Sequence, residues 1–311
     1  MLHASVGGAF AQGYPVKPIR IVVPFTPGGS ADILARAIGQ KMSESLGQSI
    51  VIDNRPGSGG VIGSEVAARA PADGYTLMMG IAANIAINPA LYPKLPYDPV
   101  RDFAPVTLVA SAPYVLVVPP ALPAKTVKDL IGLAKARPGQ LAYASLGSGS
   151  VPHLTGALFA TMSGIKLLHV PYKNIGQAMT DLISGQVQML FLGMVSAQPH
   201  VKAGKLRAVA ITGAKRSSMM AHAPTVAESG VRGFEVTGWY GVFVPAGTPK
   251  EIISRLHKEI VRVLGLPEVR ERLSAEGADL VGNTPEEFEA YIKTEIAKWA
   301  KAVKLSGASA E

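Results

Sequence analysis

The sequence contains no cysteine, which excludes structural disulfides and thiolate metal sites and leaves the redox compartment unreadable from cysteine pairing. Aromatic residues are scarce, at 6%, which argues against a stacking surface for sugars or single-stranded nucleic acid. Charged residues make up only 17% against 48% hydrophobic, a balance that excludes a disordered chain and suits a compact α/β protein. Beyond the N-terminus no segment offers the ~18 uninterrupted apolar residues of a membrane span. Catalytic signatures are also missing. There is no Gly-x-Ser-x-Gly elbow, no His-Glu-x-x-His, no Walker loop and no cysteine nucleophile. The six histidines, His3, His153, His169, His200, His222 and His257, never fall at metal-ligand spacing. Neither a metal nor a cofactor is therefore expected.

What is present begins with charge. The net charge of +8 is spread along the chain rather than gathered into a run, so it suits an anionic ligand and gives no footprint for nucleic acid. Near the N-terminus, Ala9-Phe10-Ala11 fits the small-x-small pattern cut by signal peptidase. Residues 1–13 then read as the remnant of an export signal, with a mature chain starting near Gln12 and a periplasmic destination.

Short β-branched runs alternate with helical patterns along the 311 residues, the signature of βαβ units and mostly parallel sheets. Residues 19–23, 49–52, 76–79 and 106–109 read as strands of a first lobe. Leu34, Ile38, Met42 and Leu46 repeat every four residues, so a helix over 31–46 should be closed by Gly47. Strands near 141–145, 167–171, 187–192 and 206–212 build a second lobe, and a further strand lies at 239–244. Thr248-Pro249-Lys250-Glu251 and Thr284-Pro285-Glu286-Glu287 each offer a capping threonine, proline at N1 and glutamate at N3, so a helix should start at each. In the last helix Phe288, Ile292, Ile296, Trp299 and Val303 form an apolar stripe expected to pack on the first lobe. The expected division is a first lobe of 14–110 and 236–311 and a second of 111–235, each able to bury its own core. Two strand-like hinges would lie near 109–115 and 234–239.

Two loops carry the chemistry. Phe25, Thr26, Gly28, Gly29 and Ser30 stand between a buried strand and a helix start, where close backbone approach, free N–H groups and the helix dipole favour an anion. Ser30 can cap that helix. Asp32, in its first turn, is suited to bracing the loop, because pointing into the site it would repel an anion. In the second lobe Ser145, Gly147, Ser148 and Ser150 lead into a helix that carries His153, adding hydroxyl donors to a second loop of the same kind. Tyr172 and Lys173, and Ala83 with Asn84, follow strand ends, where an α/β cleft collects its ligands. His153 and Lys173 have equally ordinary structural uses. Arg55-Pro56-Gly57-Ser58-Gly59-Gly60 lacks the lysine and the spacing of a phosphate loop and reads as a turn before a helix.

Taken in order, Pro24 to Asp32, Asn54 to Gly60, Ala72-Asp73-Gly74-Tyr75-Thr76, Ile87-Asn88-Pro89, Tyr143 to His153, Val170-Pro171-Tyr172-Lys173, Lys202 to Arg207 and Gly238 to Pro249 resemble the solute receptors of tripartite tricarboxylate transporters, the Bug receptors. The resemblance runs from about Tyr14 to the C-terminus. It implies a type II periplasmic binding protein fold, two doubly wound α/β lobes joined by two hinge strands around a ligand cleft. It also implies a small carboxylate as ligand, held by residues 25–30 and completed by the loops at Ala83-Asn84 and 145–150, with His153 and Tyr172. The expected partners are that carboxylate and the integral-membrane subunits of a transporter, with no nucleic acid, the receptor itself being a monomer. Two departures concern the ligand. Ala83, Asn84 and Ile85 stand where hydroxyl residues and a histidine are common in the family. Phe191-Leu192-Gly193-Met194 has no acid after its Phe to meet a ligand ammonium, so Leu192 argues against an amino acid and for a carboxylate with an apolar or aromatic body, with Gly193 beside it among the binding residues. The competing class is an α/β enzyme acting on a small anionic substrate, which would need a base and a nucleophile converging in the cleft.

Overall fold

The computed structural model describes residues 13–308 except residue 276; the small-x-small motif and the start at Gln12 lie outside the described residues. The chain opens with β1 (Ile19–Val23), α1 (Ser30–Leu46), β2 (Ile50–Asn54), α2 (Val61–Ala68) and β3 (Thr76–Ile81). A single π-helical turn, Ala83–Ile87, runs into the short α3 (Asn88–Leu91), and the 16-residue β4 (Phe103–Val118) follows. The second lobe is α4 (Val127–Ala136), β5 (Ala142–Ser145), α5 (Val151–Ser163), β6 (Leu168–Pro171), α6 (Ile175–Ser184), β7 (Met189–Gly193), α7 (Met194–Lys202) and β8 (Arg207–Ile211). The chain then returns through β9 (Thr237–Pro245), α8 (Lys250–Leu264), α9 (Pro267–Ala275), β10 (Asp279–Leu280) and α10 (Pro285–Ser306). No helix among the described residues is long and apolar enough to cross a membrane.

The strands form a continuous sheet in the order β2-β1-β3-β9-β4-β7-β5-β6, with β8 and β10 also on β4. Within each lobe the βα units are parallel, β1 with β2 and β3, β5 with β6 and β7. The long strands β4 and β9 are antiparallel to their neighbours. β4 changes partner between adjacent residues, Pro113 facing Thr237 of β9 and Tyr114 facing Gly193 of β7. The sequence pattern predicts a strand at 106–109 and a strand-like hinge near 109–115, and β4 runs through both. Pro105 and Pro113, which cannot donate to a ladder, interrupt the reading, and the structure accommodates the first of them at a register shift between Pro105 and Thr107.

The apolar core divides by the faces of this sheet and not by lobe, contrary to the expectation of one core per lobe. One cluster runs from Leu34, Ile38 and Leu256 under the first lobe to Met179, Leu182 and Met194 under the second. The other runs from Met78 and Ile85 to Leu154, Phe159 and Phe191. The last helix follows the same logic. Its buried Phe288, Ile292 and Trp299 cover β4, the π turn and α3, but α10 also packs against α5, so it straps both lobes where a first-lobe contact alone was expected. Its buried Glu295 accepts hydrogen bonds from the indole N–H groups of Trp239 (2.8 Å) and Trp299 (3.0 Å), while Lys298 balances its charge (2.6 Å).

Helix ends follow local chemistry. Gly47 closes α1 in the left-handed conformation, and Thr284 and Glu287 form a full capping box at α10, a device typically contributing about 1 kcal/mol. The same motif at 248–251 does not cap. The buried Thr248 hydroxyl donates to the Pro245 carbonyl (2.7 Å), and α8 starts after Pro249 without a side-chain cap.

Candidate functional site

The first loop, residues 24–29, is held by one carboxylate. Asp32 is 3% exposed; its Oδ2 accepts from the Gly28 N–H (2.9 Å) and Arg36 Nε (3.0 Å), and its Oδ1 accepts from Asn54 Nδ2 (3.0 Å). The same amide donates to the Phe25 carbonyl (3.1 Å), and Arg36 Nη2 donates to Asn54 Oδ1 (3.0 Å). Burial opposes ionisation of Asp32, but the hydrogen bonds from Arg36, Gly28 and Asn54 together hold its pKa below the ordinary carboxylate value. Asn54, at the end of β2, joins both halves of this brace, a role its place in the sequence does not signal.

What this brace leaves open is the start of α1. Ser30 does not cap the helix; it is the first helical residue, Gly29 is the N-cap, and no side chain caps the first turn. The backbone amides and the positive end of the dipole there are available to an anion. Ser30 Oγ lies toward the second lobe, 3.5 Å from where a Cβ on Gly193 would stand, and the Tyr240 hydroxyl lies 3.9 Å from that point. Burial pushes the Tyr240 phenol up, partly offset by the Ser30 hydroxyl. Gly193, the N-cap of α7, has φ −55 and ψ 138, and Gly29 has φ −78 and ψ 164, conformations open to any residue. No neighbour crowds either position more closely than 3.5 Å. Neither backbone strain nor packing requires glycine at these two places. Tyr240, on β9 among buried apolar neighbours, escapes a reading for ligand groups because nothing local separates it from core.

The second loop, residues 145–150, turns its polar groups inward. Ser145 is fully buried; its hydroxyl lies 2.6 Å from His169 Nε2 and accepts from the Gly147 N–H (3.1 Å). Ser150 caps α5, accepting from the His153 N–H (3.4 Å) and donating to the Gly147 carbonyl (2.7 Å). His153 Nδ1 accepts from the Gly149 N–H (3.0 Å). Only Ser148 and Leu146 at the tip are exposed. The hydroxyls of Ser145 and Ser150, expected to face a ligand, both make bonds that hold the loop. His169, half-buried on β6, enters this network because the parallel register sets it opposite Tyr143, a contact without local sequence signal.

The remaining candidates divide. Phe25 is half-buried and Thr26 exposed beside the α1 start. Ala83 and Asn84 lie in the π turn, 4% and 0% exposed. Asn84 accepts from the Ile81 N–H (2.8 Å) and donates to Ser64 Oγ (2.9 Å) and Met78 Sδ (3.7 Å), so its amide is not offered to a ligand. The Tyr172 ring is buried and its hydroxyl donates to Asp181 (2.8 Å). Lys173 is exposed. Among the described residues no group of His, Asp or Glu could hold a metal ion.

The comparisons fit this architecture. Residues 34–307 match the model of the tripartite tricarboxylate transporter family receptor. Protein BugT of Bordetella pertussis is 40% identical over 96% of this chain and 92% of its own. Rpa4515 of R. palustris, solved with adipate, superposes with a TM-score of 0.91 at 40% identity, over 95% of this chain and 99% of that one. MatC of Rhodopseudomonas palustris, solved with malate bound, superposes with a TM-score of 0.87 at 33% identity, over 93% and 100%.

Proposed function

Since the chain belongs to the tripartite tricarboxylate transporter receptor family, we propose that it is a periplasmic receptor that seats one carboxylate of a small, mainly apolar acid at the start of α1 and delivers it to membrane subunits of a tripartite transporter. The observation that carries this reading is the uncapped helix start, with Ser30 and two conformationally unconstrained glycines, Gly29 and Gly193, meeting from opposite lobes. An anion there receives backbone N–H groups, a hydroxyl and the helix dipole without an arginine clamp. Phe25, half-buried, stands in the same loop, and Tyr240 is buried with its hydroxyl near Gly193. This favours a body with few polar groups, such as the methylene chain of adipate, the ligand solved with one relative. Leu192, buried beside Gly193, offers no charge to a ligand ammonium. Receptor action needs only binding and lobe closure. Asp32, in the first turn of α1, is buried and committed to Gly28, Arg36 and Asn54, so it is a poor general base.

A thermal-shift screen over adipate, malate, benzoate and aspartate tests the proposal. A ligand at ~100 times its dissociation constant adds ~2.7 kcal/mol. A rise with adipate or benzoate and none with aspartate is the expected result. A shift with aspartate alone would overturn the apolar-body assignment, and no shift with any carboxylate would overturn the receptor reading.

A further inference from the structure

His153 and His169 come from different elements, α5 and β6, yet their rings stack at 4.0 Å between centroids with a 21° interplanar angle. Tyr143 on β5 flanks both, 6.5 Å from His153 and 5.1 Å from His169. The two imidazoles hold the two ends of one loop, His169 through Ser145 and thereby Gly147, His153 through the Gly149 N–H. That last bond fixes a tautomer. His153 Nδ1 accepts, so the neutral ring carries its proton on Nε2. Gly149 is also where the loop meets the other lobe: a Cβ there would stand 1.8 Å from Leu91 Cδ2 of α3. The pair therefore sets the position of a backbone segment that closes against the first lobe.

We propose that His153 and His169 are a stacked positioning pair that holds residues 147–150 in the closed-cleft shape, and that protonating either ring frees this loop and with it the ligand. The ligand half of this proposal rests on the receptor reading above. A proton on His153 Nδ1 would set two N–H donors against each other and eject Gly149. A proton on His169 would place a cation against a second imidazole at stacking distance. Among the described residues the titratable groups facing the rings are the other imidazole and the Tyr143 phenol, with no carboxylate to welcome the charge. In accord with this geometry, burial holds both imidazoles below their ordinary value, His169 at about 4 with His153 adding to the effect.

The test is hydrogen exchange of the full chain, read as protection factors at Gly147 and Gly149 from pH 7 to 4, for the wild type, His153→Phe and His169→Phe. Phenylalanine keeps a ring in the stack and removes the nitrogen. Protection at Gly149 should fall at least tenfold in His153→Phe at pH 7, and should fall on acidification in the wild type but less steeply in the variant, which keeps only His169. A Gly149 amide equally protected in His153→Phe, or wild-type protection unchanged down to pH 4, would overturn the pair's role. In parallel, the dissociation constants of adipate and benzoate are measured over the same pH range. A loop that loosens while affinity stays constant overturns the ligand half alone. If neither acid binds at pH 7, the receptor reading fails for these ligands, while the exchange data still decide the positioning role. A merely structural histidine pair would lower the melting temperature without moving either pH profile.

Discussion

The two cleft loops are alike in sequence, glycine-rich and serine-bearing before a helix, yet they are braced by opposite chemistry. The first is held by an ionised carboxylate that draws Gly28, Asn54 and Arg36 together. The second is held by two neutral imidazoles and a buried hydroxyl. The helix after the first loop has no side-chain cap, while the helix after the second is capped by Ser150. A helix start left uncapped can donate to an anion, whereas the hydroxyls of Ser145 and Ser150 are engaged within their own loop. On the receptor reading proposed above, the first loop is the seat and the second the door.

The most damaging way to break this contrast is Asp32→Ala, which takes the shared acceptor from the exposed Gly28 N–H and the half-buried Asn54 amide and unpairs Arg36. A loss of about 2 kcal/mol in urea denaturation is expected, within the roughly 1–3 kcal/mol of a lost buried hydrogen-bonding group. Acidification separates the loops next. His169 titrates at about 4 in the folded chain against 6.5 for the free group, so the unfolded chain takes up the proton first. Stability is complete above pH 6.5 and declines as pH falls toward 4, by about 1–2 kcal/mol once solvent screening at this half-buried site is allowed for. Asp32 has linkage of the same sign in a lower window: its pKa is lowered from 3.8, so its contribution persists until pH drops below that value. Chemical denaturation at pH 7, 5 and 3.5 should show the second loop's loss before the first loop's. Ser150→Ala, which removes the α5 cap, should cost about 1 kcal/mol, whereas Ser30→Ala should change stability far less, because Ser30 caps nothing. The smallest stability effect belongs to Gly193→Ala, within about 0.5 kcal/mol. Its methyl should nevertheless weaken carboxylate binding in calorimetry at least tenfold, and unchanged affinity would remove Gly193 from the cleft.

Much of the fold was legible because its signals are local. The 3.6-residue pattern ending in Gly47, the box at Thr284 and the alternation of strand and helix each depend on neighbours in sequence. The site was less so. Asn84 looked available because it follows a strand, but the π turn buries it against Ser64 and Met78. Tyr172 looked like a pocket residue until its hydroxyl was found on Asp181. His169 and Asn54 gave no hint, since their roles depend on which strands lie side by side. Thr248 shows that even a local motif yields when a closer acceptor, the Pro245 carbonyl, competes for the hydroxyl.

The central place of β9 has a bearing on how the chain is born. β3 meets β9, and β9 separates it from β4, so a ribosome that has not yet reached Thr237 has made no strand to join the first lobe's part of the sheet to β4. The strands from β4 to β8, by contrast, are contiguous and can pair as soon as they emerge. The half of the molecule that is synthesised first is consequently finished last, when β9 arrives and α10 is laid across both lobes.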